Sequence, residues 1–397
     1  MKRINFFVFF LCFSFFASFL GSNENILSKR NFLISDLSSS YISEIGVSKT
    51  ENPVWQEFFT DKSFDDINSF LSNLPISNPN PTVQNLIYKI LVSKKAFNKK
   101  EISKEQDNII FEKIINQLFN SGRLNEIDLF YSQTLNLQNN EMILTKMIEG
   151  NFLRNRHNEA CKILENKIKE KPIHFGKIMV ICDILNNKYE EAKLGLALLK
   201  EQNSPGDVFF IELAFSLMSE NNISESDYLK KTLDQIKQLN PVVMTSLQFA
   251  DISPNFEQIE NLSTSGLLFV LSNPSVETDL KIYCAELLVK QGRINYEMLS
   301  EAYQLPRYDN KEIENALNLY KTLAPVKARP LLYQSILRDE NPDSKYLKIK
   351  AFLKLSVNEK LFRNISNLID ELMPLDRLNE YVKSKEDVIL FSKMFQA

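Results

Sequence analysis

From Asn52 onward, apolar residues recur at intervals of three and four; Ile109, Ile110, Ile114 and Leu118 set one such stripe. That spacing places them on one face of an α-helix. The stripes are interrupted at Pro75 to Pro81, Lys171-Pro172, Ser204-Pro205-Gly206, Ser253-Pro254, Asn273-Pro274 and Asn341-Pro342. Proline and short polar residues end helices and favour turns. The pattern therefore predicts helices of about 12–18 residues joined by short loops. Later stripes run over Val276–Gln291, Lys311–Leu323, Val326–Arg338, Ser344–Leu355 and Glu359–Leu372. Alternating β-branched runs are missing, and apolar stretches such as Gly266 to Leu271 have helical neighbours. The expected fold class is all-α.

Three helix starts share a pattern. Leu124-Asn125-Glu126-Ile127, His157-Asn158-Glu159-Ala160 and Tyr189-Glu190-Glu191-Ala192 lie 33 and 32 residues apart, each after a polar turn. From about Asn116 to Pro205 the chain resembles the tetratricopeptide repeat. Lys188-Tyr189-Glu190-Glu191-Ala192 is similar to the start of that repeat's second helix, and Pro172 falls where its closing proline would. Departures are a missing early aromatic and bulky residues, Lys167 and Leu199, at a small-residue position. The resemblance implies helix hairpins that bury their apolar faces by stacking into a superhelix. Residues 140–217 and 275–339 also resemble a family of exported alphaproteobacterial helical proteins of unassigned activity. That likeness rests on Glu159-Ala160-Cys161, Cys182, Ala197 to Gln202, Ala302-Tyr303 and Ala328 to Gln334.

The N-terminus has a different pattern. Lys2 and Arg3 precede a nearly unbroken apolar run from Ile4 to Leu20, followed by Gly21-Ser22. This is the layout of a secretory signal peptide, with cleavage expected after Ser22. No later stretch is long and apolar enough to span a bilayer. The short positive start and Lys/Asn/Ile-rich composition point to a bacterial periplasm. The expected organisation is a signal peptide (1–22), a poorly ordered lead-in (23–50), a helical repeat domain (51–250) and a C-terminal helical region (251–397). The breaker cluster Asp251 to Asn255 marks the last boundary.

Composition narrows the chemistry. The 397 residues carry 47 Lys+Arg against 50 Asp+Glu, which gives no electrostatic case for a nucleic-acid partner. Only 9 Gly and 2 His argue against glycine-rich phosphate loops and His-rich metal sites. Gly46-Val47-Ser48-Lys49-Thr50 lacks the register of a phosphate loop. His157 and His174 have no accompanying ligand set and are expected at the surface. Lys94, Lys95, Lys99, Lys100 and Lys104 read as a solvated loop, offset by Glu101 and Glu105. Asp65-Asp66 and Glu190-Glu191 are adjacent pairs that point about 100° apart on a helix, so neither converges on one bond. No catalytic residue, cofactor or metal is expected.

One covalent feature is expected. Cys161 and Cys182 lie on consecutive helices, about Asn158–Lys169 and His174–Leu185, equidistant from the Lys171-Pro172 turn. Residues equidistant from the turn of an antiparallel hairpin share one height, where Cα atoms approach disulfide range. An oxidising compartment would close the bond, leaving Cys284 unpaired. The sequence thus predicts an exported, non-catalytic scaffold of the cell envelope that recognises a protein or peptide. The alternative is a peptidoglycan-associated protein related to the helical superhelix of lytic transglycosylases.

Overall fold

The computed structural model describes residues 41–48, 53–98, 100–133, 137, 140–167, 175–202, 207–219, 227–359 and 361–393. The expected signal segment, Lys49, Thr50, Lys99, Pro172 and His174 lie outside the described residues. The chain divides into two units, Met1–Tyr41 and Ile42–Ala397; the fold below is that of the second.

Every regular element among the described residues is helical. A 3-10 turn, Ile42–Glu44, precedes α1 (Pro53–Phe58), α2 (Phe64–Ser72) and α3 (Pro81–Val92). Three hairpins follow: α4 (Lys104–Asn120) with α5 (Leu124–Gln133), α6 (Glu141–Leu153) with α7 (His157–Lys167), and α8 (Gly176–Leu185) with α9 (Tyr189–Glu201). Next come α10 (Val208–Met218), α11 (Asp227–Leu233), α12 (Pro241–Phe249), α13 (Phe256–Glu260) and α14 (Thr264–Ser272). The chain continues through α15 (Thr278–Lys290), α16 (Tyr296–Tyr303), α17 (Asn310–Glu314), α18 (Ala316–Leu319) and α19 (Pro325–Arg338). It ends with α20 (Pro342–Asn358), α21 (Phe362–Leu372), α22 (Leu375–Tyr381) and α23 (Lys385–Ser392).

The three hairpins turn in the same way. Gly122, Asn155 and Asn187 each stand two residues before the second helix with φ of 78°, 58° and 58°. Each donates its N–H to the carbonyl three residues back: Phe119, Phe152 and Ile184. The next N–H, of Arg123, Arg156 and Lys188, reaches five back to Leu118, Asn151 and Asp183. This is the left-handed closure that glycine takes freely and asparagine tolerates. It recurs at Asp251 and Gly292.

Within the hairpins the two helices differ in how much they bury. α5, α7 and α9 bury single stripes: Leu124, Ile127, Phe130; Ala160, Cys161, Leu164; and Ala192, Leu196, Leu199. α6 and α10 are apolar on more than one face, as fits inner helices. α4 packs on α6, and α8 on α10. That inner row is covered by the chain itself: α12 lies on α6, α8 and α10, and α14 on α4 and α6. The Ser265 hydroxyl of α14 donates to the Phe119 carbonyl at the end of α4.

Two expectations differ from the observed elements. The predicted helix Lys311–Leu323 is two short ones that break at Asn315, which caps the end of α17 and the start of α18. The end of the expected lead-in is held in place. Asp107, buried on α4, accepts from the backbone of Ile42 (2.7 Å) and Ser43 (3.0 Å) and from the Ser43 hydroxyl. Val47 and Ser48 donate to the Val92 carbonyl at 2.8 and 3.0 Å. A Cβ on Gly46 would stand 2.1 Å from the Lys94 nitrogen, so only glycine fits this approach.

Candidate functional site

The strap of residues 42–48 decides the fate of two sequence features. Gly46 serves backbone contact in that strap, while the lysine cluster is split by it. Lys94, Lys100 and Lys104 are exposed, as a solvated loop requires. Lys95 is not: it is 1% exposed, and the expectation of a solvated side chain is corrected. Its backbone N–H donates to the Glu44 carbonyl of the strap, and its Nζ caps the end of α3 through Leu91 O (3.0 Å) and Ser93 O (2.9 Å). Burial lowers the Lys95 pKa from 10.5 to about 7.

The consequence for stability has a definite sign. Between the folded value of about 7 and the unfolded value of 10.5, the unfolded chain holds one proton more than the folded chain. Stability from this group therefore rises with pH across that window and is lost as pH falls towards 7. The slope approaches about 1.4 kcal/mol per pH unit. Lys95→Met should flatten the urea-unfolding free energy between about pH 7.5 and 9.5 by nearly that slope. Identical pH profiles for the two proteins would show that Lys95 is charged in the fold.

His157 also departs from expectation. It opens α7, yet its ring is held between Phe249 (centroids 4.8 Å) and Phe152 (6.0 Å) rather than solvated. Burial lowers its pKa, and its Nδ1 is buried without a hydrogen-bond partner. No group of three or more His, Cys, Asp or Glu among the described residues could hold a metal ion. The adjacent carboxylates serve helix ends. Asp66 forms a capping box with Ser63, and Glu190 pairs with Lys193 at 2.7 Å on α9.

The cysteines meet as the hairpin geometry requires. The sulfurs of Cys161 and Cys182 are 2.04 Å apart and their Cα atoms 5.5 Å apart, joining α7 to α8. Cys284 is buried and unbonded, and burial pushes its thiol pKa up.

A second buried centre joins Tyr303 and Arg329, which the sequence marks only within a family likeness, to Glu286, which it does not mark. Glu286 on α15, Tyr303 on α16 and Arg329 on α19 are 1%, 0% and 2% exposed. Arg329 Nε donates to Glu286 Oε1 at 2.6 Å, its Nη2 pairs with Oε2, and the Tyr303 hydroxyl donates to Oε1 at 2.9 Å. Gln334 Nε2 reaches the Tyr303 and Pro306 carbonyls, both at 2.9 Å. Burial works against the arginine's charge, but the Glu286 contacts outweigh it and its pKa is raised. Sealed from solvent, this network ties α15, α16 and α19 together, with Arg329 Nη1 buried and unpartnered.

Open space lies elsewhere. A cleft of about 590 Å³ runs between the end of α19, the start of α20 and the α21–α22 corner. Tyr381 forms part of its wall and is fixed by stacking on Tyr346 (5.3 Å, 26°). Around it stand Lys345, Arg377, Glu340 and Glu380. Asp339, at its edge, is committed to Lys348 (2.7 Å) and the Ser344 hydroxyl (2.6 Å); these partners outweigh burial and lower its pKa. Smaller clefts of about 490 and 420 Å³ lie beside Asp251 to Phe256 and beside Arg154. In the latter, Arg154 is already held by Asp128 at 2.7 and 3.2 Å. No helix among the described residues is long and apolar enough to cross a membrane. Comparison with protein-family models, curated proteins and solved structures finds no match to this chain.

Proposed function

We propose that the chain is an exported, non-catalytic helical-repeat scaffold of the bacterial cell envelope, periplasmic after signal removal, that recognises a protein or peptide partner. The observation that carries this reading is the 590 Å³ cleft at the α21–α22 corner. It sets cations and carboxylates around a fixed aromatic ring. A peptide segment supplies side chains of both charges and apolar groups to match, whereas a simple anion or cation would use only half of the lining. The repeated hairpin turns at Gly122, Asn155 and Asn187 support a tetratricopeptide-like arrangement. The succession of paired helices α4 to α9 supports it too.

A photo-crosslinking amino acid in place of Tyr381, in the full chain expressed in cells, tests this. One envelope protein should crosslink reproducibly, and Arg377→Glu should abolish the adduct. Adducts that sediment only with isolated sacculi would instead favour the peptidoglycan alternative and contradict a protein partner.

A further inference from the structure

The inner row of the hairpins is covered by α12 and α14, so a partner that meets the repeats must use their outer helices. α5, α7 and α9 are the outer members, and α9 is unusual among them. Leu194 and Leu198, four residues apart, are 65% and 53% exposed, while Ala192, Leu196 and Leu199 face inward. Positions four apart share one ridge of a helix. Glu190 stands four residues before Leu194 on that ridge, and Glu191 and Glu201, three before Leu194 and three after Leu198, share its face. The ridge therefore reads acid, leucine, leucine, acid. Lys193 and Lys200 lie to one side of that face, next to Ala197. The Glu190–Lys193 pair (2.7 Å) is solvated and of little energetic weight.

We propose that this ridge of α9 docks a basic amphipathic helix of a partner protein, two apolar residues flanked by Lys or Arg. The charge pattern selects that occupant. A second copy of the chain laid antiparallel would set Glu191 against Glu201, and a parallel copy would align each carboxylate with itself. Both arrangements place like charges face to face around the leucines. A basic helix neutralises both ends while covering Leu194 and Leu198. The ridge is also preorganised: α9 packs on α8, and α8 is tied to α7 through Cys161 and Cys182. Little ordering accompanies docking on such a surface. This inference shares the partner-binding reading of the previous section but uses a different surface from the Tyr381 cleft.

The test titrates the full chain into two fluorescent synthetic helical peptides, one with a Lys-Leu-Leu-Lys ridge and one with a Glu-Leu-Leu-Glu ridge. Fluorescence anisotropy should show preference for the lysine peptide. Leu194→Ser with Leu198→Ser should weaken binding by about tenfold or more. Reversal of Glu190, Glu191 and Glu201 to Lys should switch the preference to the glutamate peptide, a readout that stands even if the serine variant folds poorly. The cleft variant Arg377→Glu/Tyr381→Ala should bind both peptides as the parent does. Equal binding by the serine variant overturns the proposal, as does an unchanged preference after charge reversal. Sedimentation that reveals a dimer lost on Leu194→Ser/Leu198→Ser would also overturn it, in favour of a second copy. Loss of peptide binding only in the cleft variant would reject α9 and leave the cleft reading standing.

Discussion

Arg329→Met should lower the unfolding free energy by about 3–5 kcal/mol, because it strands a carboxylate in the core. Glu286 is 1% exposed, and after the substitution only the Tyr303 hydroxyl remains to it among the contacts described. The loss measures the cost of an uncompensated buried charge, not the net worth of the pair. The triple variant Glu286→Met/Arg329→Met/Tyr303→Phe removes every member of that charge and hydroxyl set together. Replacing a buried ion pair by apolar residues of similar volume is often near neutral. The triple should therefore recover most of the loss, with a remainder from imperfect packing beside Phe352, whose ring meets Tyr303 at 5.9 Å. Urea unfolding of the three proteins decides the matter. A single substitution that costs under about 1 kcal/mol would mean that the site is wet and the carboxylate solvated.

Cys161→Ala/Cys182→Ala should destabilise the chain by about 3 kcal/mol, the loop-closure value for a bond that spans 21 residues. In a unit of this size that corresponds to a fall of a few degrees in Tm. Both side chains are buried, so the alanines keep the α7–α8 contact while freeing the unfolded chain. Reducing agent should reproduce the loss in the parent protein and have no effect on the double variant. Equal melting of the reduced and untreated parent would show that packing alone fixes α7 on α8.

The difference between what could and could not be read in the sequence follows the range of the interactions. The hairpin starts at Leu124, His157 and Tyr189 were legible because turn and stripe are local, and α5, α7 and α9 begin at those residues. The Cys161–Cys182 pairing is legible for the same reason, since both residues stand equally far in sequence from Lys171-Pro172, which separates α7 from α8. The burial of Lys95 is not legible locally, because the strap that takes its backbone N–H at Glu44 comes from some 50 residues earlier. The packing of His157 is likewise non-local, because Phe249, which meets its ring, arrives from α12. Ala302-Tyr303 and Ala328 to Gln334 carry only a family likeness in the sequence. Their meeting with Glu286 depends on how α15, α16 and α19 pack, which no spacing rule gives. The Tyr381 cleft is likewise a product of packing, with Leu337 and Tyr381 brought to one corner.

The proposed export and the Cys161–Cys182 pairing predict one covalent state, and peptide mass mapping reads it directly. The full chain, expressed in a bacterium and recovered from the envelope fraction, is blocked with an alkylating reagent and digested without reduction. The N-terminal peptide should begin at Asn23, and one crosslinked pair should join the peptides bearing Cys161 and Cys182, with Cys284 unpaired. A chain that retains residues 1–22 and carries Cys161 and Cys182 fully alkylated without reduction would contradict the account.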